Sequence, residues 1–136
     1  MLLVINFSKS PVIASHSNAK QIALLDYNLS IDVLEGLKRN QGLVLVSFNK
    51  TGLFTIDNQT NDGIKQFVDH IDYLESIIGI NRIGIGTDLQ AYGKYVPPGL
   101  SKEDTFRKIK EELINRDYTN NEIELIFFRN YINFMK

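Results

Sequence analysis

Two side chains stand where an α/β protein does its chemistry. His16 follows a short apolar run, Pro11-Val-Ile-Ala-Ser15, and Asp88 closes another, Arg82-Ile-Gly-Ile-Gly-Thr-Asp88. In sheets built of such runs, functional groups collect just beyond the C-terminal ends of the strands. An imidazole in that place is either a metal ligand or acid/base group, or a hydrogen-bonded surface residue. An aspartate there is either a working carboxylate or the N-cap of the next helix. Ser15 and Ser17 flank His16, but neighbours on an extended chain point to opposite faces, so the pattern predicts no Ser–His couple. His70 lies beside Ile71 inside an amphipathic stretch, where a packing or surface role is expected. Gly84 and Gly86 lack the third glycine and the following helix of a dinucleotide fingerprint.

The elements that must position these residues follow from the apolar pattern. Pro11–Ser15, Leu43–Phe48 and Arg82–Asp88 read as strands. Because such runs are apolar at nearly every position, they are expected to be buried on both faces, as in a parallel sheet with right-handed crossovers. Between them, Ser30 caps a predicted helix over Ile31 to Arg39 with Leu34 and Leu37 on one face. Ile64, Phe67, Val68, Ile71, Leu74, Ile77 and Ile78 recur at three- and four-residue steps and predict a second helix that Gly79 ends. Gly52 to Gln59 reads as turn, and Tyr92 to Leu100 as loop. Ser101-Lys-Glu-Asp104 is a capping signature before a helix reaching about Asn115. Thr119-Asn-Asn-Glu122 is a capping box before a terminal helix that is apolar on several faces. These are three βα units. A closed (β/α)₈ barrel needs at least about 200 residues, so the chain is expected to be either a small open α/β sheet or a piece of a barrel.

Composition narrows the classes further. The chain has 136 residues, of which 43% are apolar, enough for one core. Fifteen basic and sixteen acidic residues leave a formal charge of -1, and no run of one sign marks a nucleic-acid or anionic-membrane partner. Without cysteine there is no disulfide framework and no thiolate nucleophile or ligand. The apolar start, Met1 to Phe7, is too short to span a bilayer and lacks the marks of a signal peptide, so a cytoplasmic location is expected.

Several strings, in order, resemble the membrane (renal) dipeptidase family of zinc metallopeptidases. Pro11-Val-Ile-Ala-Ser-His-Ser-Asn-Ala19 resembles its "PVI-x-SHS-x-A" segment, and Asn28-Leu-Ser-Ile-Asp32 its "RNLTD" stretch. Asp69-His-Ile-Asp-Tyr73 is similar to its "DHIDHI" helix, Gly84-Ile-Gly-Thr-Asp88 to its "GxGSDFDG" strand end, and Pro98-Gly-Leu100 to its "PEGL" loop. The resemblance runs from about residue 8 to 134. It implies the C-terminal portion of a (β/α)₈ barrel, one partial domain over residues 1–136, from a fold that cleaves dipeptides with two zinc ions. By position, His16 would be the last metal-ligating histidine and Asp88 the carboxylate that handles the proton of the attacking water. Zinc of that kind supplies hydroxide near neutral pH and polarises the scissile carbonyl.

The departures are as specific. The family's His-x-Asp pair, bridging Glu and other ligating His lie upstream of the matched strings, and Met1 begins about one helix too late to include them. One imidazole does not hold two zinc ions, since each takes three or four protein ligands. The family's substrate-clamping arginine falls at Tyr27, which offers one hydroxyl in place of a charged fork. The second Asp and the Gly of "DFDG" fall at Gln90 and Ala91, and the Gly-Gly and Arg of the last helix at Phe128-Arg129 and Asn133. The resemblance therefore implies a chain inactive by itself, with a dipeptide-like substrate only if complemented. Three arrangements are open: a partner N-terminal half-chain, a non-catalytic interaction protein or remnant, or a homodimer that pairs sheet edges.

Overall fold

A computed structural model describes residues 1–54, 62–89, 96–100 and 103–136. Three strands, β1 (Ile13–Ala14), β2 (Leu43–Val46) and β3 (Ile83–Ile85), form one parallel sheet in the order β1-β2-β3. Register pairs Ile13 with Leu43 and Val44 with Ile83. All four β2 residues are buried, as the unbroken apolar run requires of a central strand covered on both faces. The outer strands are shorter than their apolar runs. β1 stops where the chain bends at Ser15 and His16, and β3 stops before Gly86.

Helix α1 (Leu2–Phe7) precedes β1, α2 (Ile31–Arg39) links β1 to β2, α3 (Lys50–Leu53) and α4 (Gly63–Ile78) lie between β2 and β3, and α5 (Thr105–Asn115) follows β3. The expected faces are the buried ones: Leu34 and Leu37 on α2, and Phe67, Val68, Ile71 and Leu74 on α4, are fully shielded. Phe48 meets Phe67 edge to face at 4.9 Å, the preferred geometry for an aromatic pair. Asp62 accepts the Lys65 N–H at the start of α4, and Gly79 ends that helix with φ +83°, a backbone state open to glycine.

Four local expectations change. α1 was not signalled beyond its apolar composition; it forms because Ile5 is buried against α2, where Gly36 lets Leu2 and Ile5 approach. Lys50–Leu53 is helical where turn was expected from Gly52 onward, with Asn49 accepting the Thr51 N–H; the rest of that stretch, 55–59, lies outside the described residues, as do Ser101, Gln90 and Ala91. Ser30 occupies the N-cap of α2 without a side-chain cap bond. Asp104 is the N-cap of α5, and its carboxylate pairs with Lys108 and Arg107 instead of capping the backbone.

The C-terminal rod begins with α6 (Asn120–Glu124), whose Thr119/Glu122 capping box is complete. A π-helical turn, Leu125–Arg129, then leads into α7 (Asn130–Phe134). The wider turn resets the helical phase, so one rod serves two surfaces. Ile123 and Ile126 are buried in the core, while Phe128, Tyr131 and Ile132 are half exposed. Asn130 pins the rod to the sheet by donating to the carbonyls of Ile80 and Ile83 at 2.7 and 2.8 Å.

Opposite, α5 is tied to α4 through Arg116. Its guanidinium reaches Asp69 and Asp72 at 2.6 Å and Glu112 at 2.8 Å, and donates to the Lys65 carbonyl at 3.1 Å. The Tyr118 hydroxyl donates to Asp72 at 2.8 Å.

Candidate active site

The site lies beyond the C-terminal ends of the three strands. After β1 the chain bends rather than continuing extended, and this bend aims His16 toward the end of β3. Asp88 sits two residues past Gly86 with φ +51°, a left-handed conformation that aspartate tolerates better than most residues. His16 Nε2 and Asp88 Oδ1 are 4.0 Å apart, with side chains 48% and 25% exposed. That is an ion-pair separation, too long for a direct hydrogen bond.

Glycine at position 86 makes the approach feasible. A Cβ there would lie 2.2 Å from the Ser15 carbonyl oxygen and 2.7 Å from Leu45 Cβ. The segments just beyond the ends of β1 and β3 thus approach each other closely beside β2.

The other nitrogen of His16 corrects an expectation. Ser15 Oγ lies 2.9 Å from His16 Nδ1. Alternation of faces holds for an extended strand, and the bend at these two residues removes it. The resulting order is Ser15, His16, Asp88, with a long second step. Ser15 is exposed, with its hydroxyl within hydrogen-bond distance of the ring.

His16, Asp88 and Tyr27 line one polar pocket of about 40 Å³ together with Asn18, Asn28, Ser47, Asn49 and Gly52. Asn18, Asn28 and Ser47 are nearly fully buried, and each is satisfied. Asn18 Oδ1 accepts the Ser47 N–H at 3.1 Å, tying the loop after β1 to the end of β2. Asn28 donates to the carbonyls of Ala23 and Gly52, both at 2.9 Å. Tyr27 donates its hydroxyl to Thr51 Oγ1 at 2.6 Å, and Thr51 in turn donates to Asn49 Oδ1. Sequence reasoning had marked His16, Asp88 and Tyr27 but not the three asparagines. Their only trace in the sequence was the polar cluster ending in Asn18 and the Asn28-Leu-Ser string.

Beside this pocket runs an apolar groove of about 540 Å³, lined by Ile13, Leu45, Ile85, Phe127, Tyr131 and Met135 among others, with Ser15 and His16 at its polar end. His70 is elsewhere: it is fully buried in α4, as a packing role required, though it is also hydrogen-bonded on both nitrogens. Among the described residues no group of three or more His, Asp or Glu side chains could hold a metal ion. One imidazole and one carboxylate, 4.0 Å apart, do not make a zinc site by themselves.

A sequence profile of the membrane dipeptidase family (peptidase family M19) matches residues 1–136. The chain belongs to that family. Human Dipeptidase 3 is 32% identical over 121 residues, 89% of this chain and 24% of the human protein. Dipeptidase ataJ of Aspergillus terreus is 33% identical over 132 residues, 97% of this chain and 32% of that protein. Among solved structures, a metallopeptidase from Rhodobacter sphaeroides, liganded with a phosphinate mimic of the dipeptide L-Ala-D-Ala, superposes with a TM-score of 0.87 at 21% identity. That match covers 97% of this chain and 37% of the other, and it speaks to fold. The chain spans about a quarter to a third of the length of these curated relatives. Among the described residues no helix is long and apolar enough to cross a membrane.

Proposed function

We propose that this chain is the C-terminal portion of a (β/α)₈ dipeptidase-type barrel and furnishes one side of a zinc-dependent site for dipeptide hydrolysis. In this reading His16 is the one metal ligand the chain contributes, Asp88 is the carboxylate that handles the proton of the attacking water, and Tyr27 stands where the family carries its arginine. The observation that carries it is the convergence of these three residues on one pocket beyond the ends of three parallel strands. They come from segments 72 residues apart at the extremes, counting from Asp88 back to His16 (88 − 16). The remaining ligands must come from the part of the fold that the relatives have and these 136 residues do not. The apolar groove beside His16 offers that part a place to pack, because an uncovered surface of this kind is costly in water.

The purified 136-residue chain should therefore bind no stoichiometric zinc and cleave no dipeptide. Co-expression with the N-terminal part of a dipeptidase barrel should restore both. Elemental analysis of zinc and a dipeptide hydrolysis assay are the measurements. A lone copy that holds two zinc ions and turns over a dipeptide defeats this reading.

A second reading is a non-catalytic interaction protein, paired with an N-terminal half or with itself. Tyr27 favours it: its hydroxyl is engaged by Thr51, and among the described residues the pocket it lines has no lysine or arginine to bind a substrate carboxylate. A stable complex with no gain of zinc or activity would select this alternative.

A further inference from the structure

We propose that His70 is a positioning residue for the candidate site, a two-sided clamp that fixes the loop after β1 against the end of α3. The claim rests on the reading of His16 and Asp88 as the working groups. It draws on hydrogen bonds that the catalytic assignment does not use.

The Ala19 N–H points at His70 Nδ1 at 3.0 Å. A backbone N–H can only donate, so Nδ1 must be the bare, accepting nitrogen. The ring hydrogen then sits on Nε2, 3.0 Å from the Leu53 carbonyl oxygen, and donates to it. Both partners thus select one neutral tautomer. Ala19 is three residues past His16 and adjacent to Asn18; Leu53 follows Gly52, which lines the same pocket. From α4 a single imidazole therefore spans two loops separated by 34 residues (53 − 19).

The two sides of the clamp differ. Gln66, one helical turn earlier, also donates to the Leu53 carbonyl at 2.9 Å, and Asn28 holds the neighbouring Gly52 carbonyl. The α3 side is anchored three times over. On the other side, Ser17 donates its N–H to the Leu45 carbonyl and Asn18 accepts the Ser47 N–H, but among the described residues the Ala19 N–H has His70 as its acceptor. Ala19 is fully buried, so water cannot replace the imidazole. Loss of the acceptor should strand the buried Ala19 N–H and loosen the loop locally between those ties, whereas loss of the donor should be absorbed.

Substitutions separate the two functions. Asparagine places its carbonyl oxygen near Nδ1 and keeps the acceptor; glutamine places its amide nitrogen near Nε2 and keeps the donor. The experiment uses the full chain with no metal or substrate, so its outcome is independent of whether hydrolysis is ever restored. In the wild type, a long-range ¹H–¹⁵N spectrum at neutral pH should show His70 protonated on Nε2 and bare on Nδ1. Amide exchange at Ala19, normalised to β2 amides in the same sample, should rise about tenfold or more in His70→Gln and stay within about threefold in His70→Asn. The ring resonances of His16 should move in His70→Gln and be recovered in His70→Asn. A hydrogen on Nδ1 of the wild-type ring overturns the proposal even if both variants fail to fold. So does a parallel loss of protection at Ala19 and β2 in both variants, the mark of a residue that only fills space.

Discussion

Acid should destabilise this chain through His70 before its tightly held carboxylates titrate. Burial pushes the His70 imidazole down from 6.5 to about 4, although its bond to the Leu53 carbonyl and the nearby Asp69 charge pull the other way. The unfolded chain takes up the proton near pH 6.5, while the folded chain resists it until about pH 4. Unfolding therefore consumes a proton inside that window. The stability contributed by the neutral ring is complete above 6.5 and is lost as pH falls to about 4. Each pH unit within the window costs about 1.4 kcal/mol, and the whole window about 3 kcal/mol, a large share of a typical domain's net stability. Asp104, held low chiefly by its hydrogen bond to Lys108, and Glu122, held low by Thr119, titrate beneath the ordinary carboxylate range and leave the upper half of the window clear. Since the chain has no tryptophan, the assay is urea unfolding followed by far-ultraviolet circular dichroism at pH 7, 6 and 5. The wild type should lose about 2 kcal/mol by pH 5, and His70→Gln should lose clearly less over the same range. Equal slopes for the two chains, or an NMR titration of His70 near its ordinary value, would refute the reasoning.

Two further perturbations test how the site is held. Gly86→Ala should cost about 1–3 kcal/mol by thermal unfolding, because the new Cβ meets backbone that cannot swing aside. It should also shift the resonances of Ser15 and His16; unchanged spectra would mean the close approach of the outer strands is wrong. Arg116→Ala should cost about 1–2 kcal/mol in urea midpoint terms, since it leaves Asp69, Asp72 and Glu112 unneutralised at a partly exposed site. Arg116→Lys should recover less than half of that loss, as one ammonium cannot serve three carboxylates and a carbonyl at once. Full recovery by lysine would show that charge alone, not the planar fork, joins α5 to α4.

How much of this was legible in the sequence depended on the range of the forces involved. β2 was legible because every position from Leu43 to Val46 is apolar, and a central strand needs nothing more. The α4 face was legible because helical spacing is a local property, as was the Thr119 capping box, whose partners lie three residues apart. Strand-end position marked His16 and Asp88, and resemblance of strings then supplied the family, their expected roles and the mark on Tyr27. The bend at Ser15 and His16 was not legible, because what it packs against, the backbone at Gly86, lies about seventy residues further along the chain. Nor was α1, which buries Ile5 only because α2 offers a glycine at position 36.

By itself, then, the sequence determined the parallel α/β pattern, the order of its elements and the residue types at the strand ends. The tertiary structure alone decided that His16 faces Asp88, that Ser15 contacts the ring, and that His70 grips two loops. Periodicity records which face of an element is buried; a hydrogen bond between residues fifty positions apart exists only once the core has set their distance.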